Sequence, residues 1–316
     1  NSYQISRIQK RQTTSSIILN VYTFYYQYLK DSELYEIAKE DLQLSKRQLE
    51  LVEQQFNLGA VSKTDYLKAT VRYGTSRSTL LNRELSFNNS FKSLRNSMGL
   101  IGTDTTVSLP KKVEINLIIP SFDEAYQLML SNSPNLNILD KRVTSAKISV
   151  KQSWASSLPS LSMSLGYNAT SSEQITKQYF EDNYIQSANL TLSIPLFNGF
   201  RKRNDIKISK LQLSNQQASY SSATKDAEVN LHSLLNRLSN YEELIPIQEE
   251  VLLSAEEDLR LAQQKYELGS AAILELLDAQ LAVIQASSSL VTTKYDAAIQ
   301  LANLDNLIGT LDKKYK

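Results

Sequence analysis

The chain has 316 residues, with 34 Lys and Arg against 33 Asp and Glu, so its formal net charge is only +1. A balance this close predicts no overall attraction to nucleic acid or to an anionic membrane surface. The chain contains no cysteine, which excludes disulfides, thiolate metal sites and cysteine nucleophiles. Its 8 Gly and 6 Pro are few for this length, and this scarcity of turn-forming residues predicts long helices.

No run of residues approaches the roughly 20 consecutive apolar positions that a membrane-spanning helix requires. If the protein enters a membrane, we therefore expect it to do so through strands. No signal peptide opens the chain, from which we expect a mature or trimmed product.

An internal repeat organises the sequence. A shift of 210 positions aligns residues 42–99 with residues 252–309 without a gap. The identical pairs include Leu58-Gly59 with Leu268-Gly269, and Gly99 with Gly309. Because the apolar spacing around these glycines is also kept, we interpret the chain as two copies of one helical hairpin.

Each Leu-Gly pair predicts a helix end, because glycine has no Cβ and readily adopts the left-handed conformation of a C-cap. The alternative is a glycine tolerated inside a continuous helix. In the second copy, residues 200–268 contain no glycine and a single proline, Pro246. At 1.5 Å per residue we expect a helix of about 100 Å there.

The helix that follows Gly269 is predicted to pack as a coiled coil. Its residues alternate by four and three at Leu277, Leu281, Ile284, Ser288, Val291, Tyr295 and Ala298. A second set widens this stripe into a face that contacts two neighbours: Ile273, Leu274, Leu290, Leu301, Leu304 and Ile308.

The segment between the repeats has a different sequence pattern, with a short strand and shorter helices. Residues 113–119 alternate as a short strand that ends at Pro120. Ser121 and Glu124 predict a capping box for a helix from Phe122 to Ser131, and a further helix is expected from Pro134 to about Ser157.

Two later segments alternate apolar and uncharged polar residues, the first from Leu161 to Ala169 and the second from Ala188 to Ile194. About nine residues suit a tilted membrane strand, although a soluble hairpin over a core gives the same alternation. We favour the membrane strands, because the remainder of the chain offers this hairpin no core. The polar linker from Thr170 to Ser187 is predicted to be a solvent-facing loop.

Taken in order, these motifs resemble the outer-membrane efflux proteins typified by TolC. The resemblance rests on Phe56-Asn-Leu-Gly59 followed by Thr64-Asp65, on Ile194-Pro-Leu-Phe-Asn-Gly-Phe200, and on Tyr266-Glu-Leu-Gly269 followed by Glu275-Leu-Leu-Asp278. It implies a mainly α fold, in which very long antiparallel coiled-coil helices form a trimeric α-barrel. A short membrane β-barrel hairpin and a small αβ equatorial module complete the implied architecture.

The resemblance also implies a function. The protein would be a passive homotrimeric conduit of a tripartite efflux or type I secretion system, in the outer membrane of a diderm bacterium and extending through the periplasm. Its implied partners are a periplasmic adaptor protein, an inner-membrane pump of the RND, ABC or MFS type, and outer-membrane lipid, with no nucleic acid. A soluble coiled-coil scaffold or membrane tether is the alternative class, but it leaves the strand hairpin unexplained.

Several residues take roles by this resemblance. The acidic ring of the pore entrance would be Glu275 and Asp278, and the links that close the gate would be Thr64, Asp65 and Tyr266. The adaptor-docking tips would be Leu58, Gly59, Leu268, Gly269 and Ser270. The lipid-facing strand residues would be Leu161, Met163, Leu165, Tyr167, Leu190, Leu192 and Ile194. The chain departs from its model at Ala271, because the best-known member of the family has an arginine there that pairs with the acid.

We divide the chain into a first helical hairpin (1–100), an equatorial module (101–133), a leading helix (134–157), a membrane hairpin (158–197), a second helical hairpin (198–309) and a tail (310–316). Position 1 aligns with Leu211, so the first copy lacks the leading helix and strand pair of the second, about 77 residues. We expect that the chain is a fragment.

No catalytic constellation emerges, so we expect no enzyme activity, no cofactor and no metal site. His232 has no second histidine or cysteine near it and is expected at the surface or between helices. The aromatic residues Tyr22, Phe24, Tyr25, Tyr26 and Tyr28 are expected to pack helices rather than to stack on bases.

Overall fold

A computed structural model of the protein describes residues 1–100, 117–169 and 184–314. The chain forms two compact units. The first, here the strand unit, comprises Asn1–Ile5 and Ile138–Thr224. The second, here the bundle unit, comprises Ser6–Asn137 and Lys225–Lys316.

Long helices dominate the described residues, as the scarcity of Gly and Pro predicts. The described helices, long and short, are α1 (Ser2–Asn57), α2 (Lys63–Ser97), α3 (Phe122–Asn132), α4 (Pro134–Ala155), α5 (Arg201–Glu267), α6 (Ile273–Leu307) and α7 (Leu311–Lys314). Helix α1 has 56 residues and α5 has 67. No helix within the described ranges combines the length and apolar character needed to cross a membrane.

The buried side of α1 is a coiled-coil seam with an unusual composition. Its positions alternate by three and four: Asp31, Leu34, Ala38, Asp41, Ser45, Gln48 and Val52. Four of these seven residues are polar, and the buried Asp41 accepts a hydrogen bond of 2.5 Å from Arg72 of α2. A buried carboxylate is costly without a partner, so this ion pair favours one register between the two helices of the first hairpin.

Helix α6 has more buried residues than any other described helix, and its neighbours lie in both hairpins. Tyr295 donates a 2.6 Å hydrogen bond to Glu33 of α1. On another side of α6, Lys294 forms a 2.7 Å ion pair with Glu249 of α5. The prediction that this helix contacts two neighbours is therefore confirmed.

The C-terminal end of α6 closes against the turn between α3 and α4. Gly309 has φ +72°, and a Cβ at this position would lie 2.4 Å from the carbonyl oxygen of Asn132. The guanidinium of Arg11 donates to both carboxylate oxygens of Asp312 at 2.8 Å, and also to the carbonyl oxygens of Gly309 at 2.6 Å and Asn132 at 3.1 Å. One side chain thus ties three segments of the bundle unit together.

Two strands, β1 (Ser160–Ala169) and β2 (Tyr184–Ser193), form an antiparallel hairpin. Strand β2 starts four residues before Ala188, so the assignment of 184–187 to the loop is wrong. Ile185 lies opposite Asn168, on the face where the other side chains are polar. The side-chain alternation therefore breaks there, whereas the backbone ladder continues.

Other predictions fall partly beyond the described ranges. Residues 101–116 of the equatorial module, the linker residues 170–183 and the last two residues of the tail lie outside them. Residues 117–119 are described and form no strand, so this end of the predicted strand is wrong. The proline that follows, Pro120, has no N–H to donate to a strand ladder.

Replacing Gly309 should destabilise the protein far more than replacing Gly59, although both have a left-handed backbone. Gly59 has φ +75° with open space around its missing Cβ, so Gly59→Ala should cost about 1 kcal/mol of backbone strain. Gly309→Ala adds the clash with Asn132 and should cost roughly 2 kcal/mol more. Denaturant unfolding followed by circular dichroism measures both, and equal losses would show that the α3–α4 turn yields freely.

Removing the carboxylate of Asp312 should destabilise the protein in a pH-dependent way. The hydrogen bond from Arg11 holds the pKa of Asp312 below its ordinary value. A depressed pKa in the folded state contributes stability above the unfolded pKa of about 4, and this contribution is lost as pH falls through the folded pKa. Asp312→Asn should therefore cost about 2 kcal/mol at pH 7, and the difference from the wild type should shrink below pH 4.

Unfolding titrations between pH 7 and pH 3 test this expectation. Glu257→Gln is the matched control, because Glu257 and its partner Arg260 are both more than half exposed and such pairs contribute little. A cost for Asp312→Asn that does not change with pH would contradict the role of the charge.

Candidate functional site

The strand hairpin has two chemically different faces. Leu161 lies opposite Leu192, and Met163 opposite Leu190, so the apolar side chains of both strands share one face. The seven apolar residues predicted to face lipid are between 55% and 74% exposed. The other face carries uncharged polar residues, among them Ser162, Ser164, Asn189 and Thr191. An apolar surface of this extent marks a contact with lipid or with another protein.

The two Leu-Gly pairs are helix ends of one kind, which confirms the predicted C-caps. Gly59 and Gly269 have φ +75° and +71°. At the second, Gly269 N–H donates to the carbonyl of Tyr266 and Ser270 N–H to that of Lys265, which is the Schellman pattern. The matching bonds at the first tip come from residues 59 and 60. Leu58 and Leu268 stand 85% and 84% exposed at these tips.

The starts of α2 and α6 differ although their backbones match. The N-cap Ser62 accepts from Asp65 N–H at 3.1 Å, and its own N–H donates to the Asp65 carboxylate, so the first tip carries a complete capping box. The repeat counterpart of Ser62 is Ala272, which adopts the same extended N-cap conformation without a side-chain hydrogen bond. The second tip therefore begins its return helix without a cap.

Tyr266 joins the second hairpin to the first. Its hydroxyl donates a 2.8 Å hydrogen bond to the side-chain oxygen of Gln55 in α1. Burial raises the pKa of Tyr266, and the nearby charge of Asp65 raises it further, so the phenol remains a donor at neutral pH. Asp65 is bonded to Ser62, whose hydroxyl donates to it at 2.7 Å, and Thr64 is exposed beside it.

An apolar cluster packs behind the tips. Its buried members come from both hairpins: Val52, Ala69, Ala262, Ile273, Leu276, Leu277 and Ala279. Tyr66 and Tyr266 pack against this cluster from the first and second hairpins. The hydrogen bond of Tyr266 thus lies at the edge of a shared core.

The two acidic residues predicted for the entrance differ in their surroundings. Glu275 forms a 2.9 Å ion pair with Lys265 across the second tip. Asp278 lines a shallow groove together with Glu275 and Asp258. The carboxylate of Glu275 is therefore partly neutralised within the chain, whereas Asp278 belongs to no ion pair within the described residues.

Sequence reasoning missed the partners Gln55 and Lys265. The repeat contained a usable signal, because Gln55 and Lys265 are counterparts at a shift of 210, as are Asp65 and Glu275. Each tip therefore places one polar residue before the glycine and one acid after it. Only in the second copy, at Lys265 and Glu275, does this pair form a salt bridge.

The aromatic residues and the histidine that were expected to have packing roles do contact other side chains. Tyr28 packs against Phe87 and Phe91 with ring centroids 5.5 and 5.6 Å apart. His232 is exposed on α5 and stacks on Phe122 of α3 at 4.0 Å. Both placements agree with the expected packing roles.

The fold, the helical tips and the strand hairpin together define a class of protein. Its members have long helical hairpins whose tips carry glycine C-caps, and one strand hairpin with an exposed apolar face. Residues 1–100 and 125–310 match the family model described as outer membrane efflux protein. The chain belongs to this family.

Two relatives and one solved structure illustrate the similarity. The chain is 23% identical to the outer membrane protein TolC of Vibrio cholerae, covering 97% of this chain and 70% of that protein. It is 22% identical to the alkaline protease secretion protein AprF of Pseudomonas aeruginosa, covering 96% of this chain and 63% of that protein. The open-state MtrE outer membrane channel of Neisseria gonorrhoeae superimposes with a TM-score of 0.82 at 18% identity, covering 98% of this chain and 69% of that chain.

The chain thus spans roughly two thirds of the length of the proteins it resembles, 63% and 70% of these two relatives. The long-helix channel fold predicted from the sequence is confirmed by the structural similarity.

Exchanging the caps of the two tips should change their stability in opposite directions. Ser62→Ala removes the cap of α2 and should destabilise its first turn by about 1 kcal/mol. Ala272→Ser supplies a cap where the backbone is already extended and should stabilise the first turn of α6 by a similar amount. Amide hydrogen exchange of peptides covering 61–68 and 271–278 measures each effect. Unchanged exchange in Ala272→Ser would show that the missing cap does not limit the second tip.

Proposed function

We propose that the protein is an outer-membrane channel-tunnel, a passive conduit for efflux or type I secretion that opens and closes at its helical tips. The observation that carries this proposal is the strand hairpin, whose apolar face is exposed on a chain that belongs to the outer membrane efflux protein family. Lipid is the environment in which such a face is stable. The protein would do no chemistry of its own, and its direction of transport would come from a partner.

The hairpin also supports a homo-oligomer. The described sheet has two strands, so both of its outer edges lack backbone partners within this part of the chain. Unpaired strand edges are not viable in lipid, and copies of the same hairpin would pair them. We infer a homotrimer, as the family resemblance implies.

Helix α2 offers an apolar surface to a neighbouring copy. On α2, Leu67, Val71, Leu81 and Leu85 are between 50% and 67% exposed. Their intervals of four, ten and four residues are those of a coiled-coil seam. Because no described part of the chain covers this seam, it supports side-by-side packing of copies.

The tips are the proposed gate. Tyr266, with Thr64 and Asp65 close to the first tip, would bias the tips towards a closed state, and the bond from Tyr266 to Gln55 is the contact that supports this. Ala271 stands where the best-known member has an arginine partner for the acid, so the closing network would be smaller here. The uncapped start of α6 supports the second tip as the one that moves.

The same tips are the proposed docking site for a partner protein. Leu58, Gly59, Leu268, Gly269 and Ser270 would dock a periplasmic adaptor, because the two leucines are the most exposed large apolar side chains among the described residues of the bundle unit. The adaptor would connect the tunnel to an inner-membrane pump of the RND, ABC or MFS type. Efflux and secretion are both represented among the relatives, and the tips do not discriminate between them.

Reconstitution tests the channel itself. The purified protein should require detergent, behave as a trimer in light scattering and give single-channel conductance in planar bilayers. A detergent-free protein without conductance would favour the soluble scaffold instead.

The acidic residues should contribute unequally to ion selectivity. Asp278→Asn should lower the preference of the channel for cations more than Glu275→Gln, because Lys265 already neutralises part of the charge of Glu275. Reversal potentials in a salt gradient measure the preference. The double substitution Asp226→Asn with Glu84→Gln removes two exposed acids elsewhere and should leave it unchanged. Unchanged selectivity in Asp278→Asn would remove the acidic ring from the proposal.

A further inference from the structure

Charge is balanced over the whole chain but not in the strand unit. Its described residues between 138 and 210 contain nine Lys and Arg against two Asp, and the two strands contain no charged residue. The basic residues lie on α4 and on the first turns of α5, the helices that enter and leave the hairpin. They are Lys141, Arg142, Lys147, Lys151, Arg201, Lys202, Arg203, Lys207 and Lys210.

The end of α4 and the start of α5 form one surface. The hydroxyls of Ser153 and Ser209 lie 2.8 Å apart, in hydrogen-bond distance. Nearer the strands, the ammonium of Lys202 donates to the carbonyl oxygen of Ser156. The basic residues therefore lie on two adjacent helix segments.

Five of these residues form what we call the basic collar: Lys147, Lys151, Arg201, Arg203 and Lys207. All five are exposed, and none belongs to an ion pair within the described residues. The first turn of α5 contains no acid, although a helix start favours negative charge. Such an arrangement is unfavourable in isolation, and an anionic neighbour relieves it.

Aromatic and apolar side chains separate the basic collar from the strands. Leu196, Phe197 and Phe200 are 92%, 77% and 63% exposed, and Trp154 at the end of α4 is 59% exposed. Along the chain, the order is therefore apolar strand, aromatic side chains and basic helix. A bilayer presents the complementary order of acyl chains, interface and phosphate groups.

We propose that the basic collar binds anionic phospholipid headgroups in the leaflet that faces the helices. This inference rests on the proposed function, since it requires the hairpin to be in a bilayer. The guanidinium groups of Arg201 and Arg203 match phosphate oxygens in a bidentate way, and the lysines add positive charge that attracts an anionic surface. The lipid phosphates would supply ion-pair partners to the five collar residues, which form no ion pair within the described residues.

Trp154 is the only tryptophan of the sequence and lies beside the collar, so its fluorescence reports on the lipid there. The protein is reconstituted in phosphatidylcholine vesicles in which a fixed fraction is replaced by dibrominated phosphatidylglycerol or by dibrominated phosphatidylcholine. Bromine quenches only nearby tryptophan. We expect the anionic lipid to show about threefold enrichment around Trp154 at low salt, and less at 0.5 M NaCl.

The triple variant Arg201→Gln, Arg203→Gln, Lys207→Gln should reduce this enrichment to nearly one. The matched control is Lys10→Gln, Arg77→Gln, Lys92→Gln, which removes three exposed charges from the bundle unit and should leave it unchanged. Conductance of each variant verifies insertion.

Equal quenching by both lipids in the wild type would overturn the inference and leave the channel function standing. Loss of the trimer in the triple variant, with equal quenching in the wild type, would mean that the collar pairs with another copy. No quenching by either lipid would instead contradict the membrane position of the hairpin, and with it the proposed function.

Discussion

The wide buried face of α6 is the constraint on which the rest of the bundle depends. A helix with side chains buried along two stripes needs more than one neighbour, and α6 finds them in α1, in α2 and in α5. The shared cluster around Ile273 and Leu277 then holds both tips against each other. Because one helix of the second repeat completes the core of the first, neither hairpin has a complete core of its own near the tips.

The sequence predicts the parts of this structure that follow from periodicity and from backbone geometry. The repeat, the two glycine caps, the long helices and the apolar face of the hairpin all belong to this group. The seam of α1 was not visible, because Asp31, Asp41, Ser45 and Gln48 carry its spacing without apolar character. Its stability comes from side-chain pairing such as Asp41 with Arg72, and only the three-dimensional contacts identify that pairing.

The positions of the tip residues were predicted better than the residues that they contact. Resemblance placed Tyr266 and Glu275 at the tips, but their contacts, Gln55 and Lys265, depend on rotamers and on the distance between helices. The same distinction applies to charge. A net charge of +1 gave no sign of the basic collar, because the excess of bases around the hairpin is cancelled by acids elsewhere in the sequence.

The polar face of the hairpin has a consequence for cargo. Neither described strand contains an Asp, Glu, Lys, Arg or His, and the polar side chains are hydroxyls and amides. Such a wall keeps its character across the physiological pH range and neither attracts nor repels a solute by its sign. Along the stretch of the conduit that these two strands would line, a solute would then be selected by its size and hydrogen bonding and not by its charge.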